Sequence, residues 1–218
     1  MSTGHKGRSR WVLVVLLFLA AAVSTGVLLQ LAGVDLWALL VARTTSPAPV
    51  GHALKGWATL MERPGLPNVH QVSADLYRGA QPTAEGMREL KKLGVRTVVS
   101  LRVFHSDRGE IGNTDLAYEE ISFKAWHPED EDVVRFLQIV TDKSRTPVFV
   151  HCEYGADRTG TMCAVYRIVV QGWSKEEAVS EMTQGDFGFH EGWQDLVDYV
   201  NGLDVDRLRR EAGITVSP

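Results

Sequence analysis

Residues 147–160, PVFVHCEYGADRTG, constrain this chain more than any other stretch of it. A short apolar run rich in Val and Phe reads as a strand buried on both faces. It ends in His151 and Cys152, passes through a small loop containing Gly155, and reaches Arg158-Thr159-Gly160, where a helical pattern begins. A strand turning through a glycine loop into a helix belongs to layered α/β architecture. Such a loop also presents successive backbone N–H groups at a helix N-terminus, a cradle for a phosphate-sized anion. A thiol at the mouth of that cradle is favoured as thiolate, the form that acts as nucleophile. Arg158 adds a planar fork suited to two phosphoryl oxygens, and Gly155 lets the loop curl without a side chain in the way.

The flanking sequence supplies the rest of the layered domain. Thr83 caps a predicted helix that ends at Leu93, with Gly94 just beyond it. Residues 95–101 are a β-branched, largely apolar strand, and residues 117–126 alternate enough for another. Pro128 and the acids after it open a helix, a second runs from Arg158 to about Gln171, and Ser174 with Glu177 forms a capping-box pattern. Two more helical patterns, over residues 190–203 and 205–213, close the chain. The expected fold is α/β, with a mostly parallel central sheet flanked by helices.

Ahead of this domain stands a different kind of sequence. Residues 11–34 contain no charged side chain, and as a helix would span about 36 Å, enough for a bilayer core with some tilt. Lys6, Arg8 and Arg10 precede the run and Asp35 follows it. This pattern predicts a single transmembrane anchor, or an uncleaved signal, with the domain on the extracytoplasmic side. The expected organisation is a basic tip over 1–10, the anchor over 11–34, a linker over 35–65 and the folded domain over 66–218. Net charge is −4, and the few bases near the N-terminus leave the remainder still more acidic, a surface poorly suited to nucleic acid. The chain's two cysteines do not read as a disulfide framework. Cys163, inside a helical pattern, reads as a buried thiol.

The segment HCEYGADRTG resembles the signature of cysteine-dependent protein tyrosine and dual-specificity phosphatases. The stretch LYRGAQPTAEGMRELKKLGVRTVVSLR is similar to the opening of the compact bacterial dual-specificity-like phosphatases. The resemblance implies that Cys152 forms a phosphocysteine, that Arg158 binds the phosphoryl group, and that Thr159 assists breakdown of the intermediate. Glu153, Tyr154, Gly155 and Ala156 would line the substrate through the loop. The leaving oxygen needs a proton, and the sequence offers Asp130, Glu129 and Asp157. The first two lie in WHPED, which resembles the mobile Trp-Pro-Asp loop of tyrosine phosphatases with His127 inserted; they equally suit a helix first turn. Asp157 also reads as a partner that orients Arg158. Arg102 and Asp107, in the loop after the strand 95–101, read as solvated residues with access to the same pocket.

The resulting expectation is a phosphatase needing no metal or cofactor, acting on a phosphorylated protein or a small phosphomonoester. Glu153 and Asp157, with no base between Cys152 and Arg158, disfavour highly phosphorylated rings. The alternatives are a phosphate-binding pseudophosphatase and a phosphoinositide-type phosphatase. A rhodanese-like sulfur-transfer loop fits Arg158 and Thr159 less well.

Overall fold

Strands whose residues are apolar on both faces belong at the centre of a sheet, and the two most apolar runs sit there. In the computed structural model, residues 56–215 are described. They run β1 (Thr59–Leu60), β2 (His70–Gln71), β3 (Leu76–Gly79), α1 (Ala84–Lys92), β4 (Thr97–Ser100), α2 (Arg108–Ile111), β5 (Ala117–Glu120), α3 (Asp130–Thr141), β6 (Val148–His151), α4 (Asp157–Val169), α5 (Lys175–Gln184), α6 (Gln194–Gly202) and α7 (Val205–Glu211). The sheet order is β1-β2-β3-β6-β4-β5. The pairs β3–β6, β6–β4 and β4–β5 are parallel, whereas β1–β2 and β2–β3 are antiparallel. The mostly parallel α/β sheet is as expected, with an antiparallel edge that the sequence did not announce.

Side chains alternate across β6 and so build two cores. Phe149 packs with Met87, Leu90 and Val98 on the α1 face. Val148 and Val150 join Phe136, Leu137, Met162 and Val165 on the face covered by α3 and α4. Helix α4 is buried on nearly every side, which explains its lack of a polar stripe. Local signals operate as expected: Thr83 accepts from Gly86 N, and Ser174 and Glu177 form the reciprocal capping box.

Register places the functional loops. Gly79 and Ser100 both stand opposite His151, so the carboxyl ends of β3, β4 and β6 form one row. The segments that follow, from Ala80, Leu101 and Cys152, therefore emerge at one end of the sheet, where ligands bind in open α/β folds.

The folded unit begins earlier than residue 66. Strand β1 pairs with β2, and Ala58 N donates to Glu181 Oε1 at 2.7 Å, tying residues assigned to the linker into the domain. The predicted anchor over 11–34 lies outside the described residues. Among the described residues no helix is long and apolar enough to cross a membrane.

Candidate active site

Helix α4 starts without a side-chain cap: Ala156 occupies the cap position, and the first helical bond runs from Gly160 N to Ala156 O at 2.7 Å. The helix-opening N–H groups thus stay available to an anion. Cys152 lies at the base of the loop, 2% exposed. Thr159 Oγ1, in the first turn of α4, is fully buried and has no hydrogen-bond partner. Gly155 has φ +71°, and a Cβ there would meet the Gly79 carbonyl carbon at 2.4 Å. Only glycine allows the loop to lie this close to the end of β3.

Arg158 Nη1 donates to Leu101 O at 3.2 Å, and the side chain lines a cleft of ≈ 580 Å³. Asp157, Tyr154, His190 and the aromatic or apolar side chains of Phe104, Trp126 and Trp193 share its wall. Three of these rings stand out in solvent: Phe104 is 102% exposed, Trp126 65% and Tyr154 62%. Exposed aromatics gathered around one cationic side chain are unusual on a solvated surface and mark a place where something apolar docks.

The candidate acids are distributed unequally. Asp157 lines the cleft but does not pair with Arg158. It accepts from His190 N at 2.8 Å and faces His190 Nδ1 at 2.9 Å. Asp130, the first residue of α3, is absent from the cleft wall. Its carboxylate accepts from the Tyr199 hydroxyl at 2.7 Å and is ion-paired with Arg207. Glu129 accepts from Lys124 Nζ at 3.2 Å. Asp130, Glu131 and Asp132 stand in the first turn of α3, where the helix dipole favours acids, and Glu129 precedes them without capping the helix through its side chain. Partial burial and the nearby charge of Glu129 raise the Asp132 carboxyl, yet it too lies off the cleft wall.

Asp107 overturns the solvated-loop reading. Its side chain is fully buried, facing His151 Nε2 at 2.6 Å and accepting from Gln81 Nε2 at 2.9 Å. Burial alone would push its carboxyl up, but His151 and Gln81 outweigh burial and hold it below its ordinary value. His151 Nδ1 lies 3.1 Å from Cys152 O, so the histidine shapes the loop by hydrogen bonding, as expected. Arg102 donates to Gln81 Oε1 at 3.0 Å and lies 3.7 Å from Glu153. Gln81 N also donates to Glu153 O at 3.1 Å.

Sequence reasoning missed this support from Gln81 and a second from Arg78. Both lie in LYRGAQP, so the signal was present as a motif without an assigned use. His105, Asp107 and Glu110 place ligand atoms within 4.8 Å of one another, but Asp107 is already committed to His151 and Gln81.

Comparison with known proteins gives a consistent result. A family model described as DSP-PTPase phosphatase fused to NAD+ kinase matches residues 54–195. The dual specificity protein phosphatase TpbA of Pseudomonas aeruginosa is 37% identical over 206 residues, covering 94% of this chain and 86% of TpbA. The crystal structure of a TpbA variant in complex with phosphotyrosine is similar at a TM-score of 0.66 and 34% identity, covering 75% of this chain and 100% of that one. The core catalytic domain of the PP-IP phosphatase SIW14 from S. cerevisiae, at 19% identity and a TM-score of 0.60, covers 68% of this chain and 93% of its own; it shares the fold.

Proposed function

Because the chain belongs to the DSP-PTPase phosphatase family, we propose that it hydrolyses phosphotyrosine-type monoesters through a phosphocysteine on Cys152. The observation that carries this reading is the position of Arg158 in an aromatic-walled cleft at the uncapped start of α4. The arginine and the loop amides hold the equatorial phosphoryl oxygens. Cys152 thiolate attacks phosphorus, the S–P bond forms and the P–O bond to the leaving group breaks. Water then attacks phosphorus, releasing phosphate and regenerating the thiolate. The hydroxyl of Thr159, buried and without a protein partner, supports its role in the second step.

Three carboxyl groups compete to protonate the leaving oxygen, and of these Glu129 is engaged by Lys124. Asp130 would first have to leave Tyr199 and Arg207. Asp157 already lines the cleft, with His190 beside it to exchange a proton. We assign the role to Asp157 and count His190 as its partner.

Substrate class follows from the lining. Phe104, Trp126, Tyr154 and Trp193 suit an aryl ring, and the similar TpbA has been solved in complex with phosphotyrosine. Glu153 and Asp157 disfavour a polyphosphorylated ring, although SIW14 shares the fold. Full-length protein should hydrolyse an aryl phosphate and Cys152→Ser should not. A parent that binds phosphotyrosine peptide but releases no phosphate would instead be a pseudophosphatase.

We further infer that the apolar run 11–34 anchors the protein, with the catalytic domain outside the cytoplasm, from the bases that precede the run. Protease added to intact cells should then cleave the domain. Protection until the membrane is breached would reverse the orientation.

A further inference from the structure

Arg78 is a cation in an unusual place. It belongs to β3, is 1% exposed, and runs beneath the first turn of α4. A Cβ on Gly160 of that turn would come within 3.7 Å of Arg78 Nη2. The guanidinium carbon lies 3.7 Å from the centre of the Phe187 ring. Nη2 donates to Gly155 O at 2.7 Å and to Ala156 O at 3.4 Å. Nε is buried with no partner. The nearby carboxylate, Glu181, is engaged by Arg167 Nε at 2.7 Å and Nη2 at 2.6 Å.

A buried guanidinium without a carboxylate of its own is costly, and a fold that serves packing alone would replace it with an apolar side chain. What Arg78 does hold is the catalytic loop. A trans peptide points its C=O and the following N–H in opposite directions within one plane. Fixing the Gly155 and Ala156 carbonyls on Arg78 therefore turns the Ala156 and Asp157 N–H groups the other way, toward the cradle above Cys152. We propose that Arg78 is a positioning residue for the phosphatase reaction: it aims the loop amides at the phosphoryl group and supplies a buried positive charge beneath the Cys152 thiolate. This inference rests on the proposed function and deepens it.

Burial lowers the Arg78 guanidinium, while Cys163, Glu181 and Cys152 act in the opposite sense and Arg167 opposes them. An arginine starts high enough to stay charged regardless. Its field is thus a fixed feature of the site, and the mobile negative charge it can favour is the thiolate or the bound phosphoryl group.

The test reads Cys152 without requiring turnover. Iodoacetamide alkylation of Cys152, followed by peptide mapping across pH, gives a midpoint for thiolate formation in the full-length protein. Protection by inorganic phosphate reports the cradle. Arg78→Met keeps most of the volume and removes the charge. We expect its midpoint to rise by about one unit or more, and half-protection to need about tenfold more phosphate. Arg78→Lys keeps the charge without the fork, so its midpoint should stay near the parent's while phosphate protection weakens. Arg167→Met removes another buried arginine, one bonded to Glu181, Gln171 Oε1 and Val72 O. It should lower thermal stability yet leave the Cys152 midpoint in place.

A folded Arg78→Met with the parent's midpoint and phosphate protection would overturn the inference. Should that variant fail to fold, Arg78→Lys decides: protection equal to the parent's would equally overturn it. Alkylation is measured whether or not the parent hydrolyses an ester, so a failure of the phosphatase reading is seen separately in the aryl phosphate assay.

Discussion

Asp107 Oδ2 lies 2.6 Å from His151 Nε2, with both side chains fully buried. The contact joins the loop after β4 to the residue preceding Cys152, so the carboxylate braces the floor of the catalytic loop from one strand away. Because the folded-state carboxyl is held below its ordinary value, its contribution is fully present above the unfolded value near pH 4 and is lost as pH falls through the folded value. Asp107→Asn should therefore cost about 1–3 kcal/mol at neutral pH. The deficit should narrow in acid, as the parent's own carboxyl protonates. Urea unfolding of the two proteins at pH 7 and near pH 3 measures the difference; an equal deficit at both would remove the electrostatic part of this account.

Both cysteines are buried, yet they should not react alike. Burial pushes the Cys163 thiol up to about 11, where it is overwhelmingly protonated at neutral pH. Brief iodoacetamide treatment followed by peptide mapping should label Cys152 and leave Cys163 intact until the protein is unfolded. Fast labelling of Cys163 in folded protein would contradict the packing described for α4.

Gly155→Ala tests the close approach of the loop to β3. The new Cβ would sit 2.4 Å from the Gly79 carbonyl carbon in a backbone conformation with φ +71°. A cost of about 1–3 kcal/mol is expected, and activity should fall further than stability because the amide cradle is displaced. Thermal melting and kcat/KM with an aryl phosphate, measured together, separate the two effects.

The acid assignment predicts a ranked series. Asp157→Asn should lower kcat by about 100-fold or more on a substrate with a poor leaving group, and less on an activated one. Asp130→Asn, which loses the contacts with Tyr199 and Arg207, should lower thermal stability and change kcat by less than about tenfold. The opposite ranking would move the acid to Asp130 and require the segment from His127 to Asp130 to swing into the cleft that Trp126 already lines.

Much of this site was legible because its signals are local. The apolar strand, the glycine and the uncapped helix start around Cys152 and Arg158 occupy one contiguous stretch, and the Ser174–Glu177 box closes within one turn. What was not legible depends on sheet order. Arg78 meets Gly155 across 77 residues and Asp107 meets His151 across 44, pairings that exist only because β3 and β4 flank β6. An arginine in LYRG also breaks the apolar pattern expected of a buried strand, so β3 did not read as one. Strands β1 and β2, two residues each, are too short to carry any period. Asp157 reads in sequence either as an acid or as a partner of the adjacent Arg158, and the helix start sends its carboxylate to His190 rather than to Arg158.

The proposed reaction passes through a covalent bond between the sulfur of Cys152 and phosphorus. Full-length protein mixed with an excess of an aryl phosphate and quenched in acid during turnover should yield a phosphorylated peptide containing Cys152. That adduct should vanish as substrate is exhausted and never form in Cys152→Ser. Steady hydrolysis with no phosphoryl adduct on Cys152, or hydrolysis that persists in Cys152→Ser, would contradict the account.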